Sequence, residues 1–297
     1  DSLLTLLKKD KEDTNKVNAL NALSEQLWRK GNYDTALIYA NNALALCNQL
    51  LPQSTNQPSD SYRGTQSTIL KGIAKAHSNI GIIYAQQGNY PEALKEYFAS
   101  LKIREETGDK QGIASSYNNI ACVYYEKGNL SRHRDSVQAY RDYGKALENL
   151  LASLKIIEEI GDKQGIADSY NNIGTIYADQ GIYPKALENY FASLKIKAEI
   201  GDKKGIAASY NNIGNIYLKQ SKIPEAKKHL LMSLSISKEI GSKDEIKQAY
   251  QALSHSDSAA GNWKGAYEFH KSYSEVKDSM FNEESSKQIA DMGARYE

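Results

Sequence analysis

A block of fourteen residues recurs along the chain, and no other feature so narrows the folds open to it. SYNNIACVYYEKGN, starting at Ser116, returns as SYNNIGTIYADQGI from Ser169 and SYNNIGNIYLKQSK from Ser209. HSNIGIIYAQQGNY from His77 is an earlier copy. Aligned on their small residues, Gly81, Ala121, Gly174 and Gly214, the copies are spaced by 40, 53 and 40 residues. The period is therefore 40, with thirteen extra residues at 130–142, because Gly88-Asn89-Tyr90 corresponds to Gly128-Asn129 followed by Tyr143. Ser24 and Ser254 are the small residues of two weaker copies. The loop LPQSTNQPSDSYRG accounts for most of the 17 extra residues between Ser24 and Gly81, and reads as a flexible linker. Six repeats result, at about 17–50, 66–107, 110–160, 163–200, 203–240 and 243–276. They form one array over 1–280, leaving 281–297 as a capping or stalk helix. A unit of this size cannot bury its apolar face alone, so neighbours must stack.

Each repeat reads as two helices. Ile166, Tyr170, Ile173, Gly174 and Tyr177 share one helical face, and Ala186, Leu187, Tyr190, Ala192, Leu194 and Ile196 make a broad apolar stripe on a second helix. Gly88-Asn89-Tyr90-Pro91 and Gly181-Ile182-Tyr183-Pro184 supply turns within a repeat. Glycine suits a left-handed cap and proline a first helical turn. Gly108-Asp109-Lys110, Gly161-Asp162-Lys163 and Gly201-Asp202-Lys203 separate repeats, the Asp capping the next helix, with Gly241-Ser242 in the same role. Strand signals are absent, so the expected fold is all-α.

The small residue, a Tyr three later, an Ala twelve later (Ala93, Ala186, Ala226) and an aromatic four beyond that (Tyr97, Tyr190) resemble the tetratricopeptide repeat over roughly residues 17–280. The period of 40 departs from that family's usual ~34 and resembles its longer-helix subgroup. The resemblance implies an α-solenoid, a right-handed superhelix of about six helix pairs, with first helices lining a concave face. It also accounts for 21 Tyr against 4 Phe, as rings at helix-pair packing positions with their hydroxyls kept wet.

Two residues before the small residue stands Asn in four successive repeats: Asn79, Asn119, Asn172 and Asn212. An amide offers an acceptor and two donors, matching a peptide backbone, so one per repeat makes a ladder for an extended chain. The pattern resembles the asparagine ladders of peptide-binding repeat superhelices. Asn118, Asn171 and Asn211 precede them and widen the polar strip, and Asn215 lies past it. The alternative is that these amides bridge neighbouring helices, offsetting the low helix propensity of Asn, about 0.5 kcal/mol each relative to Ala. Ala22 and Ala252 hold the matching places in the end repeats, which confines the strip to the middle of the array. Glu126 and Asp179, further along the same face, either pair a basic partner residue or are simply solvated. No Lys/Arg cluster suited to a carboxylate clamp accompanies them.

The segment 130–142, with Arg132, His133, Arg134 and Arg141, spans about 3.6 helical turns and is expected to prolong the second helix, as a partner contact or a tolerated insertion. Phosphate-loop, dinucleotide, zinc-protease and hydrolase-elbow motifs are absent, so no catalytic residue, cofactor or metal is expected. His77 and His270 take tyrosine packing places, Cys47 is expected to be buried and inert, and Cys122 to border the groove. Asn129-Leu130-Ser131 is a glycosylation sequon. A net charge of +1 gives no footprint for nucleic acid, and no run of 18 apolar residues spans a membrane.

The terminal KDSMFNEE resembles segments that end extracytoplasmic repeat domains of bacterial sensor proteins. That resemblance implies a protein or peptide ligand, a periplasmic setting, an output domain elsewhere, and a homodimer through the C-terminal helix. The other setting is a cytoplasmic adaptor that holds a transcription factor or phosphatase through the basic insert.

Overall fold

The computed structural model describes residues 13–51 and 60–296. Twelve α-helices and no strand occur among the described residues. They are α1 (Thr14–Arg29), α2 (Tyr33–Leu50), α3 (Asp60–Gln86), α4 (Tyr90–Thr107), α5 (Lys110–Ser131), α6 (Ser136–Ile160), α7 (Lys163–Asp179), α8 (Tyr183–Ile200), α9 (Lys203–Lys219), α10 (Ile223–Glu239), α11 (Lys243–Ala259) and α12 (Trp263–Tyr296). They fall into two compact units, one ending at Gly161 with α1–α6, the other beginning at Asp162 with α7–α12.

Within a pair, the small residue marks where the second helix presses on the first. A Cβ on Gly81 would stand 2.7 Å from the Tyr97 ring, one on Gly174 2.9 Å from Tyr190, and one on Gly214 2.7 Å from Leu230. Close approach at these points is what the repeat's glycine permits. Neighbouring pairs then bury their apolar stripes against each other. In the first unit Val17, Leu46, Cys47, Ile69 and Ile73 form one cluster, and Tyr97, Leu101, Ile120 and Val123 another. In the second unit the clusters are Tyr190, Ile213 and Ile216, then Leu230, Leu234 and Leu253. Burial of these stripes supplies the main favourable term, about 25 cal/mol per Å² of apolar surface.

Polar groups fix the register of the pairs. Ser100 Oγ donates to the Ala74 carbonyl at 2.8 Å, and Ser153 Oγ, one repeat on, donates to that of Ala114 at 2.9 Å. Asp109, Asp162 and Asp202 cap the next helix as expected, accepting from the N–H of Gly112, Gly165 and Gly205 at 2.9–3.0 Å. Ser242, in the equivalent place, instead bonds the Glu245 side chain. The lysines after the caps form a series that the sequence reading missed. Lys110 pairs with Glu159 (2.9 Å), Lys163 with Glu199 (3.2 Å), Lys203 with Glu239 (2.5 Å), and Lys243 with Glu283. The first three tether the start of a first helix to the end of its own second helix, and the fourth reaches the middle of α12; being exposed, each adds little stability.

Three expectations change. The insert lengthens both helices of its pair: the turn lies at residues 132–135, and Gly128-Asn129 is helical. A Cβ on Gly128 would meet the Tyr143 ring at 2.7 Å, so this glycine serves a second helix crossing instead of a turn. The Asn129 Oδ1 correspondingly accepts from Tyr143 Oη at 2.7 Å. The loop before the second repeat turns helical at Asp60, while Pro52 and Pro58 lie outside the described residues. Residues 281–296 continue α12 without a break, and the Lys243–Glu283 pair makes this long helix the second helix of the last repeat. His270, at a tyrosine register, is exposed beside Tyr273 instead of packed between helices.

Candidate functional site

The asparagines divide by what their amides reach. Asn79 is 1% exposed, and its Nδ2 donates to the Asn21 carbonyl at 3.0 Å, while Asn21 Nδ2 donates to the Gly72 carbonyl at 3.1 Å. This reciprocal pair ties α1 to α3 and leaves Asn79 unavailable to a ligand. Asn212 Nδ2 donates to Asn171 Oδ1 at 3.0 Å, the same backward reach between first helices in the second unit. Asn211 is buried and close to Gln248 at 3.5 Å, with its Oδ1 unpaired. Asn118, Asn119, Asn172 and Asn215 are not buried and make no side-chain hydrogen bond among the described residues. The amides the sequence groups together thus include bridges between repeats and others that are uncommitted.

Each unit carries an open cleft on its first helices. In the first unit a cleft of about 510 Å³ is lined by Trp28, Ile82, Ala85, Gln86, Tyr90, Tyr97, Asn119, Cys122, Val123 and Glu126. In the second, a cleft of about 560 Å³ is lined by Thr175, Ala178, Asp179, Tyr190, Asn212, Asn215, Ile216, Leu218, Lys219, His255 and Ala259. The two are built at the same register of the repeat: Ile82 answers to Thr175, Gln86 to Asp179, Tyr97 to Tyr190, Asn119 to Asn212, Cys122 to Asn215, and Glu126 to Lys219. Asn119, Asn212, Asn215, Glu126 and Asp179 therefore line clefts, whereas Asn79, Asn118, Asn171, Asn172 and Asn211 do not line either. Trp28, Tyr90 and His255 were not singled out by the repeat pattern, because they come from the weaker end repeats or a turn.

The walls are mainly aromatic and aliphatic, with a few amides and charges among them. Burial holds the Tyr97 and Tyr190 phenols above their ordinary pKa, so both stay neutral; Tyr190 also shares a 3.1 Å bond with Thr175 Oγ1. The Cys122 thiol is raised by desolvation first and by the Glu126 charge second, the opposite of an activated nucleophile. Cys47, fully buried, is pushed up to about 11 by desolvation. No group of three metal-ligating side chains occurs among the described residues, and no helix among them is long and apolar enough to cross a membrane.

Comparison with known proteins locates the family. Models described as tetratricopeptide repeat match residues 72–132 and 206–240. No curated protein sequence matches. Among solved structures, BtubC (BKLC) from P. vanneervenii is similar at 17% identity with a TM-score of 0.66, over 84% of this chain and 92% of that one. A signal transduction ATPase with numerous domains and a tetratricopeptide repeat sensor, from Pyrococcus horikoshii, is similar at 16% identity with a TM-score of 0.69. That match covers 96% of this chain but 40% of the other. Aspartyl phosphate phosphatase F from Bacillus subtilis is similar at 13% identity with a TM-score of 0.62, over 91% of this chain and 62% of that one. The repeat motif and the stacked helix pairs agree with these models: residues 72–132 and 206–240 carry tetratricopeptide repeats, and the fold is an all-α solenoid of helix pairs.

Proposed function

We propose that the chain is a non-catalytic scaffold that binds extended protein or peptide segments along its first helices. The observation that carries this is the recurrence of one cleft design in both units, each pairing a buried tyrosine and aliphatic side chains with a ladder asparagine. Apolar walls hold side chains, and amides satisfy the backbone of whatever enters. The test is binding of a peptide selected from a random library to the variant Asn119→Ala/Asn212→Ala. Affinity should fall at least ~10-fold with helicity by circular dichroism intact, and undiminished affinity would remove the amides from the reading.

The setting we infer is the sensory or interaction region of a larger bacterial signalling protein. The KDSMFNEE resemblance supports it, as does the long α12, whose Phe281 and Ile289 are 71% and 66% exposed. Dimerisation through residues 278–297 is expected, and a strictly monomeric mass by light scattering of a longer chain opposes this setting. A second reading, a free-standing regulator, draws on the tip of the α5–α6 pair, where Leu130, Val137 and Tyr140 are more than 60% exposed beside Arg134 and Arg141. It requires that deleting 130–142 abolish capture of a transcription factor or phosphatase.

A further inference from the structure

We propose that the first unit's cleft selects a segment carrying a basic side chain, arginine or lysine, next to an apolar one, with Glu126 as the specificity-determining residue. The proposal deepens the scaffold reading and rests on it. Glu126 is the one charged side chain lining this cleft; it is exposed and has no ion-pair partner among the described residues. The positive charges nearby are already committed. Lys127 lies 3.9 Å from Asp142, which is 1% exposed, and over the Tyr124 ring. Arg29 lies over the Trp28 ring at 5.5 Å and pairs with Glu25 at 2.6 Å; Lys75 holds the other oxygen of Glu25 at 2.8 Å. The aromatic wall of Trp28 and Tyr90 suits the stem of a long basic side chain, and an arginine fork can bond a carboxylate with two parallel N–H groups. The Asn119 amide stands ready for the adjoining backbone. In the second unit the same register holds Lys219, so the preference belongs to this cleft and is not a general property of the repeat.

The experiment selects a phage-displayed library of random twelve-residue peptides on the full chain carrying Trp263→Phe. Because the chain has 2 Trp, this leaves Trp28 as the reporter in the cleft wall. Peptides that shift Trp28 emission should be enriched in Arg or Lys over Asp or Glu. Changing that basic residue to Glu should weaken binding at least ~10-fold to the parent chain. Against Glu126→Lys the order of the two peptides should reverse; Glu126 is exposed, so this variant keeps its fold. Peptides that shift Trp28 emission yet bind parent and Glu126→Lys alike overturn the selectivity and leave the scaffold standing. So does selection only of peptides that leave Trp28 unmoved. Failure to select any peptide overturns the scaffold reading itself.

Discussion

Ser221 is the one non-glycine residue with positive φ among those described, at 59°, in the turn where the preceding repeat has Gly181 at 76°. A side chain there presses on the following carbonyl, at about 1–2 kcal/mol relative to glycine. Ser221→Gly should therefore raise stability by about 1 kcal/mol, visible as a higher urea midpoint; an unchanged or lower midpoint contradicts the strain. The asparagines make a sharper residue-scale contrast. Asn79→Ala removes a buried hydrogen bond to the Asn21 carbonyl, which keeps its own helical partner, an expected loss of about 1 kcal/mol. Asn119→Ala, which breaks no protein hydrogen bond, should lie within about 0.5 kcal/mol of the parent chain. Equal losses at both would make every ladder asparagine structural. The thiols can be told apart as well. Only a thiolate attacks Ellman's reagent. In the native chain near pH 8, Cys122 should react more slowly than a free peptide thiol and speed up as pH rises through its raised pKa. Cys47 should react only on unfolding. Labelling of Cys47 in the native state would remove it from the core.

At the scale of elements, the repeat made the helix pairs legible because period, glycine turns and aspartate caps all agree. Its blind spots are equally physical. A glycine reads the same whether it ends a helix at positive φ, as Gly88 does, or clears space for a ring inside one, as Gly128 does for Tyr143. Gly112 and Gly205 are a third case: a Cβ there would meet the capping aspartate and the side chains of Arg104 and Lys197, which cross the helix start. Arg104 is 8% exposed and donates to the Gly112 carbonyl, Ser116 and Ser78, and burial lowers its pKa; nothing in its local sequence announces that path. The ladder was legible as a pattern but not as a role, since an amide's partner is set by how neighbouring helices stack. The insert leads to a direct test of modularity. Deleting 130–142 joins Gly128-Asn129 to Tyr143-Gly144-Lys145-Ala146, the same frame as Gly88-Asn89-Tyr90-Pro91-Glu92-Ala93. The shortened chain should fold with helical content and thermal midpoint close to the parent's. A collapse of either would mean that the lengthened pair is integral to the first unit's core.

At the scale of the molecule, stability is distributed. Each unit owns its clusters, and a stack of repeats gains stability from nearest-neighbour burial, so a defect weakens its neighbours first. The two tryptophans report separately, Trp28 from the first unit and Trp263 from the second. Leu230 is fully buried, packed on Gly214 in the second unit, and Leu230→Ala should cost about 2–5 kcal/mol. Urea titrations of Leu230→Ala, read once in a Trp28→Phe background and once in Trp263→Phe, should then diverge. The midpoint reported by Trp263 drops and the one reported by Trp28 stays near that of the parent chain. Coincident midpoints, both lowered, would mean that the array unfolds as one cooperative block. The distinction matters for binding. A chain that loosens unit by unit can let a ligand order one cleft at a cost confined to that unit, whereas a single block would transmit occupancy of either cleft to the whole.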